Sequence, residues 1–480
     1  MCRIRKPVFF FCIMLSLICP FTYGQFDDDE CKKRGDCPKK EDEFELDEVI
    51  VTAFHGGAVN ITPTKTIIDI EAFDKSGAVE RVEDILTHLT GIDVLRGTSG
   101  ADPQQLVMMR GFDDSRFTIA IDGRTITGPT AGADTYVDWS SLTSADIDKI
   151  EVIRGAASAQ YENSQGGIIN IITRKGSTRE TLKPKITFTN DYSRYNTFTS
   201  RVAVDGGFKD LTYFFNYGYK TSDGFLLNND YEGYDYSARV SYLFPFEGYL
   251  TLGVKYSQLK AGYAVVNDPN STYTNAYNPN YPIVPQDADT IRRYRAVSFP
   301  GGDNYKDKDA QHLDLSFDQP FNRSKLKVQI YESSGGEDSY YYTVSAGRLQ
   351  QLYSGGDARA EKQIGGRLQW QMDYWENNSL LLGYDQRRME VKSTPDVWRM
   401  NALYAEDTLA ITNRLTAFLG LRYAHVREFT YAYSDVRGTP AYRHKLYTRV
   451  LLPKSTLTYK FTDDTQVYVS VNRDYHVPGC

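Results

Sequence analysis

Beyond residue 24 the sequence has no uninterrupted apolar run of about 18 residues, the length that a transmembrane helix needs. Its mean hydropathy of −0.47 is that of a polar chain. These two observations exclude a membrane protein built of helices. They leave a transmembrane β-barrel open, because barrel strands are apolar only at every second residue.

Familiar catalytic and metal-binding motifs are also missing. The sequence has no GxSxG, no HExxH and no Walker loop, and it has no CxxC pair of the kind found in zinc sites. Four histidines are scattered without a nucleophile at suitable spacing: His55, His312, His425 and His444. We therefore expect a protein that is not an enzyme and that needs no catalytic cofactor.

The charge balance argues against nucleic acid as a partner. Lys and Arg number 55 against 62 Asp and Glu, which gives a net charge of −7. An acidic chain is repelled by the phosphate backbone. The function classes that remain are transport, binding and structural roles.

The first 24 residues have the parts of a secretory signal peptide. Arg3, Arg5 and Lys6 form a positive start, and "PVFFFCIMLSLIC" is an apolar segment too short to span a bilayer. Small residues precede Gln25, where cleavage is expected. Removing this segment takes away three positive charges and lowers the net charge from −7 to −10. A short buried helix is the alternative interpretation.

Residues 25–46 are acidic and poor in apolar side chains, which predicts a flexible N-terminal segment. Cys31 and Cys37 lie within it, and whether they pair is left open by the sequence. The next stretch, "ELDEVIVTAFHGG" (45–57), contains a strand-forming run with no obvious partner strand nearby. An apolar strand left alone in polar surroundings is an aggregation hazard.

Residues 54–177 have the mixed pattern of an α+β unit. A helix is predicted in "AVERVEDILTHLTG" (78–91), with His88 on its surface and Gly91 at its C-terminal cap. Short strands follow, each bounded by Gly or Asp turn residues. The helix face consists of Val79, Val82, Ile85, Leu86 and Leu89, and the strands are "QLVMMRG", "FTIAIDG", "KIEVIRG" and "GGIINIITR".

From residue 178 to residue 480 the pattern changes to strands that alternate between apolar and polar residues. In "YLTLGVKYSQ" (249–258), Leu252 and Val254 share one face while Thr251 and Gly253 share the other. The same alternation appears in "RLQWQMDY" and "QVYVSVNR". It continues for about 300 residues without an intervening helix pattern, which favours a barrel over a soluble sandwich.

Connections and aromatic content support the same interpretation. Short turns at 411–416 and 461–466 contrast with long connections at 262–308 and 335–362. Short turns on one rim and long loops on the other are typical of outer-membrane barrels. The 36 Tyr, 24 Phe and 4 Trp suit aromatic girdles at the lipid interface. We count about 13 strands of this type.

Several stretches together resemble one family, the TonB-dependent outer-membrane receptors for siderophores and cobalamin. "LDEVIVTA" (46–53) resembles the TonB box, and 107–126 and 147–176 resemble signatures of the plug domain. Residues 402–423 and "NRDYHVPG" (472–479) are similar to barrel segments. One departure is Glu162, where the family usually has Gly after Tyr161, and we expect only a local loop change from it.

The resemblance implies a mainly β fold, namely an antiparallel transmembrane barrel of about 22 strands around an N-terminal α+β plug domain in the bacterial outer membrane. With about 13 strands, the chain is expected to be C-terminally truncated, since an open barrel edge is unstable in lipid. The implied domains are a signal peptide at 1–24, a flexible segment at 25–46, a TonB box at 47–53, a plug at 54–177 and a partial barrel at 178–480.

The implied function is import of a scarce metal chelate into the periplasm with energy from TonB. A ferric siderophore is the preferred substrate class, cobalamin is the alternative, and a passive porin or adhesin barrel is a third reading. The implied partners are periplasmic TonB with its inner-membrane energising complex, the chelate and outer-membrane lipid. TonB would add a strand to the box, whose residues are Asp47, Glu48, Val49, Ile50, Val51, Thr52 and Ala53. An ordinary first plug strand is the alternative interpretation of the box.

Further residues are expected to lock the plug and to bind substrate. Arg110 and Arg154 match the family's plug arginines, which pair with barrel carboxylates; exposed turn arginines are the alternative. Substrate contacts are predicted in the plug apices and in the long outer loop, at Arg96, Gln104, Gln105, Tyr136, Tyr273, Tyr277, Arg292 and Arg293. A structural calcium site is the one non-protein group considered, with Asp223, Asp230 and Asp235 as its oxygen ligands.

Overall fold

A computed structural model describes the chain between residues 51 and 474. The described ranges are 51–52, 59–61, 65–73, 81–95, 106–113, 116–126, 128–129, 135–136, 139–154, 158–162, 164–177, 183–270, 277–285, 304–345, 348–354, 361–375, 378–391, 397–431, 443–462 and 465–474. The predicted signal peptide and the acidic segment lie outside these ranges.

The N-terminal part of the described chain contains eleven strands and two short helices. They are β1 (Val51–Thr52), β2 (Val59–Ile61), β3 (Lys65–Asp69), α1 (Ile70–Phe73), α2 (Val82–Leu86), β4 (Ile92–Leu95), β5 (Leu106–Met109), β6 (Thr118–Ile121), β7 (Arg124–Thr125), β8 (Gly128–Pro129), β9 (Thr135–Tyr136), β10 (Ile147–Arg154) and β11 (Gly167–Thr173). Two 3-10 turns, Trp139–Ser141 and Ser144–Asp146, precede β10. No helix within the described ranges is long and apolar enough to cross a membrane.

Seven of these strands form one sheet with the order β1-β2-β3-β10-β11-β6-β7. β11 and β6 run parallel, and the other neighbours are antiparallel. The central strands carry the core, in which Ile150 and Ile169 are fully buried beside Trp139. All four strands predicted from the sequence in this region are confirmed.

The predicted amphipathic helix is shorter than its sequence pattern. Its apolar face is buried as expected at Val82, Ile85 and Leu86, but the helix ends at Leu86. The chain continues as a turn to Gly91, whose φ of +83° is in the left-handed region that glycine adopts without strain. His88 is exposed, as predicted, and its ring packs edge-on against Phe73.

The rest of the described chain is a continuous antiparallel sheet of fourteen strands. Thirteen of them are neighbours in sequence order, and β19 is an additional strand paired only to β18. The predicted number of about 13 is thus confirmed. The strands are β12 (Lys185–Ser193), β13 (Thr197–Phe208), β14 (Leu211–Ser222), β15 (Tyr231–Leu243), β16 (Tyr249–Gly262), β17 (Tyr305–Phe321), β18 (Ser324–Ser345), β19 (Arg348–Ser354), β20 (Glu361–Trp375), β21 (Asn378–Val391), β22 (Val397–Thr412), β23 (Leu415–Tyr431), β24 (Arg443–Lys460) and β25 (Gln466–Asn472).

The connections between these strands alternate in length. One rim has turns of two to five residues, such as 322–323 and 413–414, and we call it the short-turn rim. The other, the long-loop rim, includes the 42-residue connection 263–304. The prediction of a long loop at 335–362 is wrong, because β18 continues to Ser345 and pairs with β19 there. Strand pairing satisfies the backbone groups that a free loop would leave to water.

The two faces of the fourteen-stranded sheet differ in polarity. Leu252, Trp370 and Val469 are exposed at 43%, 45% and 65%, whereas Thr251 and Arg367 on the opposite face are buried. Aromatic rings pack at the short-turn rim, where the Phe244 and Phe246 ring centroids lie 5.1 Å apart. An apolar outer face with a rim of aromatic rings suits contact with lipid, as predicted.

The buried polar face contacts the plug. Strands β14 to β16 contact the plug at Asp146, and strands β22 and β24 contact it at residues 158–164. Because distant parts of the sheet contact the same plug, the sheet wraps around it as a barrel wall. The fold class predicted from the sequence is confirmed.

Candidate functional site

Only two residues of the predicted TonB box lie in the described chain. Val51 and Thr52 form β1, which pairs with Ile61 and Asn60 of β2 at the edge of the plug sheet. The other edge of β1 has no partner strand among the described residues. Asp47, Glu48, Val49, Ile50 and Ala53 lie outside those ranges. The role of the box stays a prediction.

The two predicted locking arginines contact the plug itself. Arg154 is half-buried, and its Nη1 donates to Thr66 Oγ1 at 2.6 Å. Arg110 is exposed and has a φ of +55°. Within the described part of the chain, neither arginine forms an ion pair with a barrel carboxylate. Their locking role stays a prediction, and the contacts that join plug to barrel lie at other residues.

Two of the predicted substrate residues, Tyr136 and Tyr277, lie in the described chain. Tyr277 is 41% exposed, and Tyr136 ends β9. The other predicted substrate residues lie outside the described ranges, namely Arg96, Gln104, Gln105, Tyr273, Arg292 and Arg293.

The three predicted calcium ligands have different surroundings. Asp235 pairs with Arg201 on the buried face at 2.9 Å, and Asp223 accepts a hydrogen bond from Asn196 at 2.6 Å. Asp230 is exposed. No group of three or more acidic, His or Cys residues able to hold a metal is found in the described chain. The calcium site therefore stays an untested prediction.

The densest contact between plug and barrel involves plug residues 158–164, which we call the anchor loop; residue 163 lies outside the described ranges. Glu406 of β22 accepts hydrogen bonds from Ser158 Oγ at 2.6 Å and from the Gln160 backbone N–H at 3.1 Å. Lys454 of β24 donates to the Ser158 carbonyl at 2.7 Å. Barrel side chains thus satisfy backbone groups of a loop that has no regular secondary structure of its own.

Asp474, which follows β25, completes this set of contacts. It accepts hydrogen bonds from the Ser164 backbone N–H at 2.5 Å and from Ser164 Oγ at 2.7 Å. Lys454 also donates to Ser164 Oγ at 3.0 Å. Both ends of the anchor loop are therefore held by charged groups of the barrel.

Glu162 lies at the centre of the anchor loop and is only 4% exposed. Its Oε2 accepts a hydrogen bond from Arg422 Nη2 at 2.5 Å, and its Oε1 pairs with Arg387 Nη2. Burial alone would raise the pKa of this carboxyl, but the two guanidinium groups lower it to about 2. The expectation of a merely local loop change at Glu162 is wrong, because the side chain forms a buried ion triad with the barrel wall.

A second contact lies at the turn between β6 and β7. Asp122 Oδ2 pairs with Arg239 of β15 at 2.9 Å and accepts a hydrogen bond from Thr173 Oγ1 at 2.7 Å. Burial opposes ionisation here too, yet Arg239 and the Thr173 hydrogen bonds lower the pKa of Asp122 to about 2. The carbonyls of Gly123 and Thr125 accept hydrogen bonds from Arg367 and Gln363 of β20.

A third contact is made by Asp146, just before β10. Lys255 of β16 lies 2.8 Å from Asp146 Oδ2, and Ser237 Oγ donates to Oδ1 at 2.6 Å. In all three buried ion-paired contacts the plug supplies the carboxylate and the barrel supplies the cation. This polarity is opposite to the pairing of plug arginines with barrel carboxylates that the resemblance implies.

Sequence reasoning missed these three carboxylates as joining residues. The signal for Glu162 was visible as a departure from the family pattern, and Asp122 stands in the "DG" of the plug signature. No motif in the sequence around their cationic partners identifies those residues as plug contacts. Glu162 and Arg422, for example, are 260 positions apart in the chain.

We expect Glu162→Gln to lower the free energy of unfolding of the plug by about 3–5 kcal/mol, because two buried guanidinium groups lose their carboxylate. The measurement is calorimetric unfolding of the purified protein in detergent. Glu71→Gln is the matched control, since Glu71 is an exposed plug carboxylate with only surface ion pairs, and it should change stability by less than about 1 kcal/mol. Equal effects from both variants would contradict a structural role for the triad.

We also expect acid to weaken the plug over a defined pH range. The pKa of Glu162 is about 2 in the folded protein against an ordinary 4.5, so its stabilisation is fully present above pH 4.5 and is lost as pH falls towards 2. The loss amounts to about 3 kcal/mol for this carboxyl. The melting temperature of the plug should therefore drop between pH 4.5 and 2, and this slope should be shallower in Glu162→Gln. An unchanged slope in the variant would argue against the lowered pKa.

Comparison with known proteins agrees with this geometry. Residues 58–168 match the family described as TonB-dependent receptor plug domain. Among solved structures, the chain is similar to the ferric-catecholate import receptor Fiu of E. coli K12 in its open form, with 15% identity over 86% of this chain and 69% of that chain and a TM-score of 0.62.

Two further structures show the same likeness. The ferric yersiniabactin uptake receptor FyuA of Yersinia pestis has 14% identity over 84% of this chain and 63% of that chain, with a TM-score of 0.66. A variant of the ferric enterobactin receptor PfeA of Pseudomonas aeruginosa has 14% identity over 87% of this chain and 63% of that chain, with a TM-score of 0.60.

At 14 to 15% identity these likenesses establish the fold alone, and the chain spans 63–69% of the length of these structures. All three are receptors rather than enzymes, in line with the sequence prediction. The resemblance found in the sequence is confirmed, and with it the bacterial outer membrane as the location of this fold. Residues 58–168 match the TonB-dependent receptor plug domain, and the chain carries that domain inside a barrel wall with the same fold as these import and uptake receptors.

Proposed function

We propose that the protein imports a scarce metal chelate, with a ferric siderophore as the preferred class, into the periplasm by a force that TonB applies to the plug. The observation that carries this proposal is the chemistry of the plug–barrel contact. Ion pairs and hydrogen bonds at Glu162, Asp122 and Asp146 join the two parts. When the plug moves, water can form hydrogen bonds with these charged and polar groups in place of their protein partners. Separating two apolar surfaces would instead expose them to water, which is unfavourable.

The order of the plug sheet suggests how a pull on the N-terminus would reach the anchor loop. β1 is joined through β2 and β3 to β10, and β10 ends at Arg154, close before the anchor loop. A partner strand added to the open edge of β1 would apply force along this path. Among the described residues the link between β1 and β2 involves two residue pairs, so few backbone hydrogen bonds hold β1 to the sheet.

The substrate class is supported by the names of the similar structures. Fiu, FyuA and PfeA are receptors for ferric catecholate, ferric yersiniabactin and ferric enterobactin, respectively. We extend the class of ferric chelates, and none of these individual compounds, to this chain. Cobalamin remains the alternative cargo and a passive barrel the alternative mechanism, and two experiments separate them.

Deletion of residues 47–53 should abolish uptake of radiolabelled ferric siderophore by iron-starved cells, because TonB would lose the strand to which it pairs. Deletion of residues 38–44, an equally long piece of the acidic segment, is the matched control and should leave uptake intact. Both variants should reach wild-type abundance in the outer membrane. Uptake that survives loss of residues 47–53 would support a passive barrel instead.

The abundance of the intact protein in the outer membrane should rise when cells are starved of iron and fall when iron is returned. Quantitative mass spectrometry of outer-membrane fractions measures this. A ferric-chelate receptor is useful only when iron is scarce, which is the reason for the expected response. If the abundance does not change with iron but falls when cobalamin is added, the result would contradict the siderophore proposal and support cobalamin as the cargo.

A further inference from the structure

We propose that Arg387 and Arg422 form an anion-binding site in the barrel wall, which the plug's own Glu162 fills in the closed receptor and which an anionic group of the cargo enters once the anchor loop withdraws. The part played by the cargo rests on the proposed import function. The existence of the site rests on the contacts around Glu162 alone.

The site offers more hydrogen-bond donors than Glu162 can use. Arg387 Nη1 and Arg422 Nε are both buried and have no hydrogen-bond partner within the described chain. Glu162 engages only one Nη2 atom from each arginine. A buried donor without a partner costs about 1–3 kcal/mol. An anion with more oxygen atoms than a carboxylate would satisfy these donors better.

The charges around the site also favour an anion. Asp385 pairs with Arg367 at 2.7 Å and with Arg422 at 3.1 Å, so these two arginines keep a carboxylate when Glu162 leaves. Arg387 does not, because Glu162 is its sole carboxylate partner in the described chain. Its remaining contact is Met400 Sδ at 3.1 Å, and a thioether is a weak acceptor. Withdrawal of the anchor loop therefore leaves a desolvated guanidinium that attracts another anion.

An apolar cluster lies beside Arg387 and indicates which class of ligand the site would accept. Met389, Trp398, Met400 and Val426 form a buried group on the same face of β21, β22 and β23. Arg387 pairs with Met400 across the strands, and Met389 pairs with Trp398. The site thus combines a guanidinium pair with an apolar and aromatic wall. It suits anionic oxygen groups carried on an apolar or aromatic body.

The test removes the carboxylate of Glu162 by mutation and supplies formate, a small carboxylate, in solution. Glu162→Ala should lower the melting temperature of the purified protein in detergent, and sodium formate should restore about half of the loss or more, since a ligand that binds only the folded state stabilises it. Sodium chloride at the same ionic strength is the salt control. Inorganic phosphate, with four oxygens, should restore more than formate at equal concentration. The wild-type protein should respond to formate no more than to chloride.

A double variant shows where the anion binds. Glu162→Ala combined with Arg422→Gln should gain nothing from formate beyond the chloride effect, because one of the two guanidinium groups is gone. Rescue of the double variant equal to that of Glu162→Ala, or no rescue of either, would overturn the proposal. If Glu162→Ala does not fold, Glu162→Gly takes its place, since related receptors usually carry glycine at this position.

These outcomes can be told apart from failure of the proposed import function. If cells take up no ferric chelate through the wild-type protein, import fails, yet formate rescue still decides whether the site exists. If uptake is normal and formate rescues nothing, the site fails while import stands. If both hold, Arg387→Gln should reduce ferric-siderophore uptake about tenfold, which corresponds to the loss of one charged contact along the path of the cargo.

Discussion

A charge that is buried between plug and barrel must meet an opposite charge or a hydrogen-bond partner, and the lumen of this barrel is arranged around that requirement. Three plug carboxylates, Asp122, Asp146 and Glu162, each face a barrel cation. The anchor loop, which has little hydrogen bonding of its own, is held through Glu406 and Lys454. The plug therefore depends on the wall for its electrostatic balance, and the wall depends equally on the plug.

Much of the fold can be read from the sequence because it follows from local alternation. The period-2 pattern of segments such as 249–258 identified the barrel strands and the face that each side chain takes. The buried helix face was predicted by spacing, although the helix proved to be only Val82–Leu86, since the turn to Gly91 packs its apolar residues equally well. The extension of β18 into a predicted loop escaped notice because its polar residues lack a clear alternation.

The joining residues could not be read in the same way. Their partners lie in strands hundreds of positions away, and which residues face each other is set by strand register and by how the plug sits in the lumen. Arg110 and Arg154 were chosen by resemblance, and the contacts of Arg154 lie within the plug. A single departure from a family pattern, Glu162, proved more informative than the residues that matched it.

The length of β18 has a consequence for the cell surface. Its 22 residues span about 70 Å along the strand and, at the usual tilt of about 40°, about 50 Å along the barrel axis, while the apolar band of such a barrel is only about 25 Å tall. About half of the strand therefore stands outside the apolar band, where it is stiffened by pairing with β17 and β19. A phage or an antibody that approaches the cell surface would therefore contact paired β-strands as well as loops. Sequence changes there must preserve strand pairing, so this portion of the outer surface has less freedom to vary than an ordinary loop.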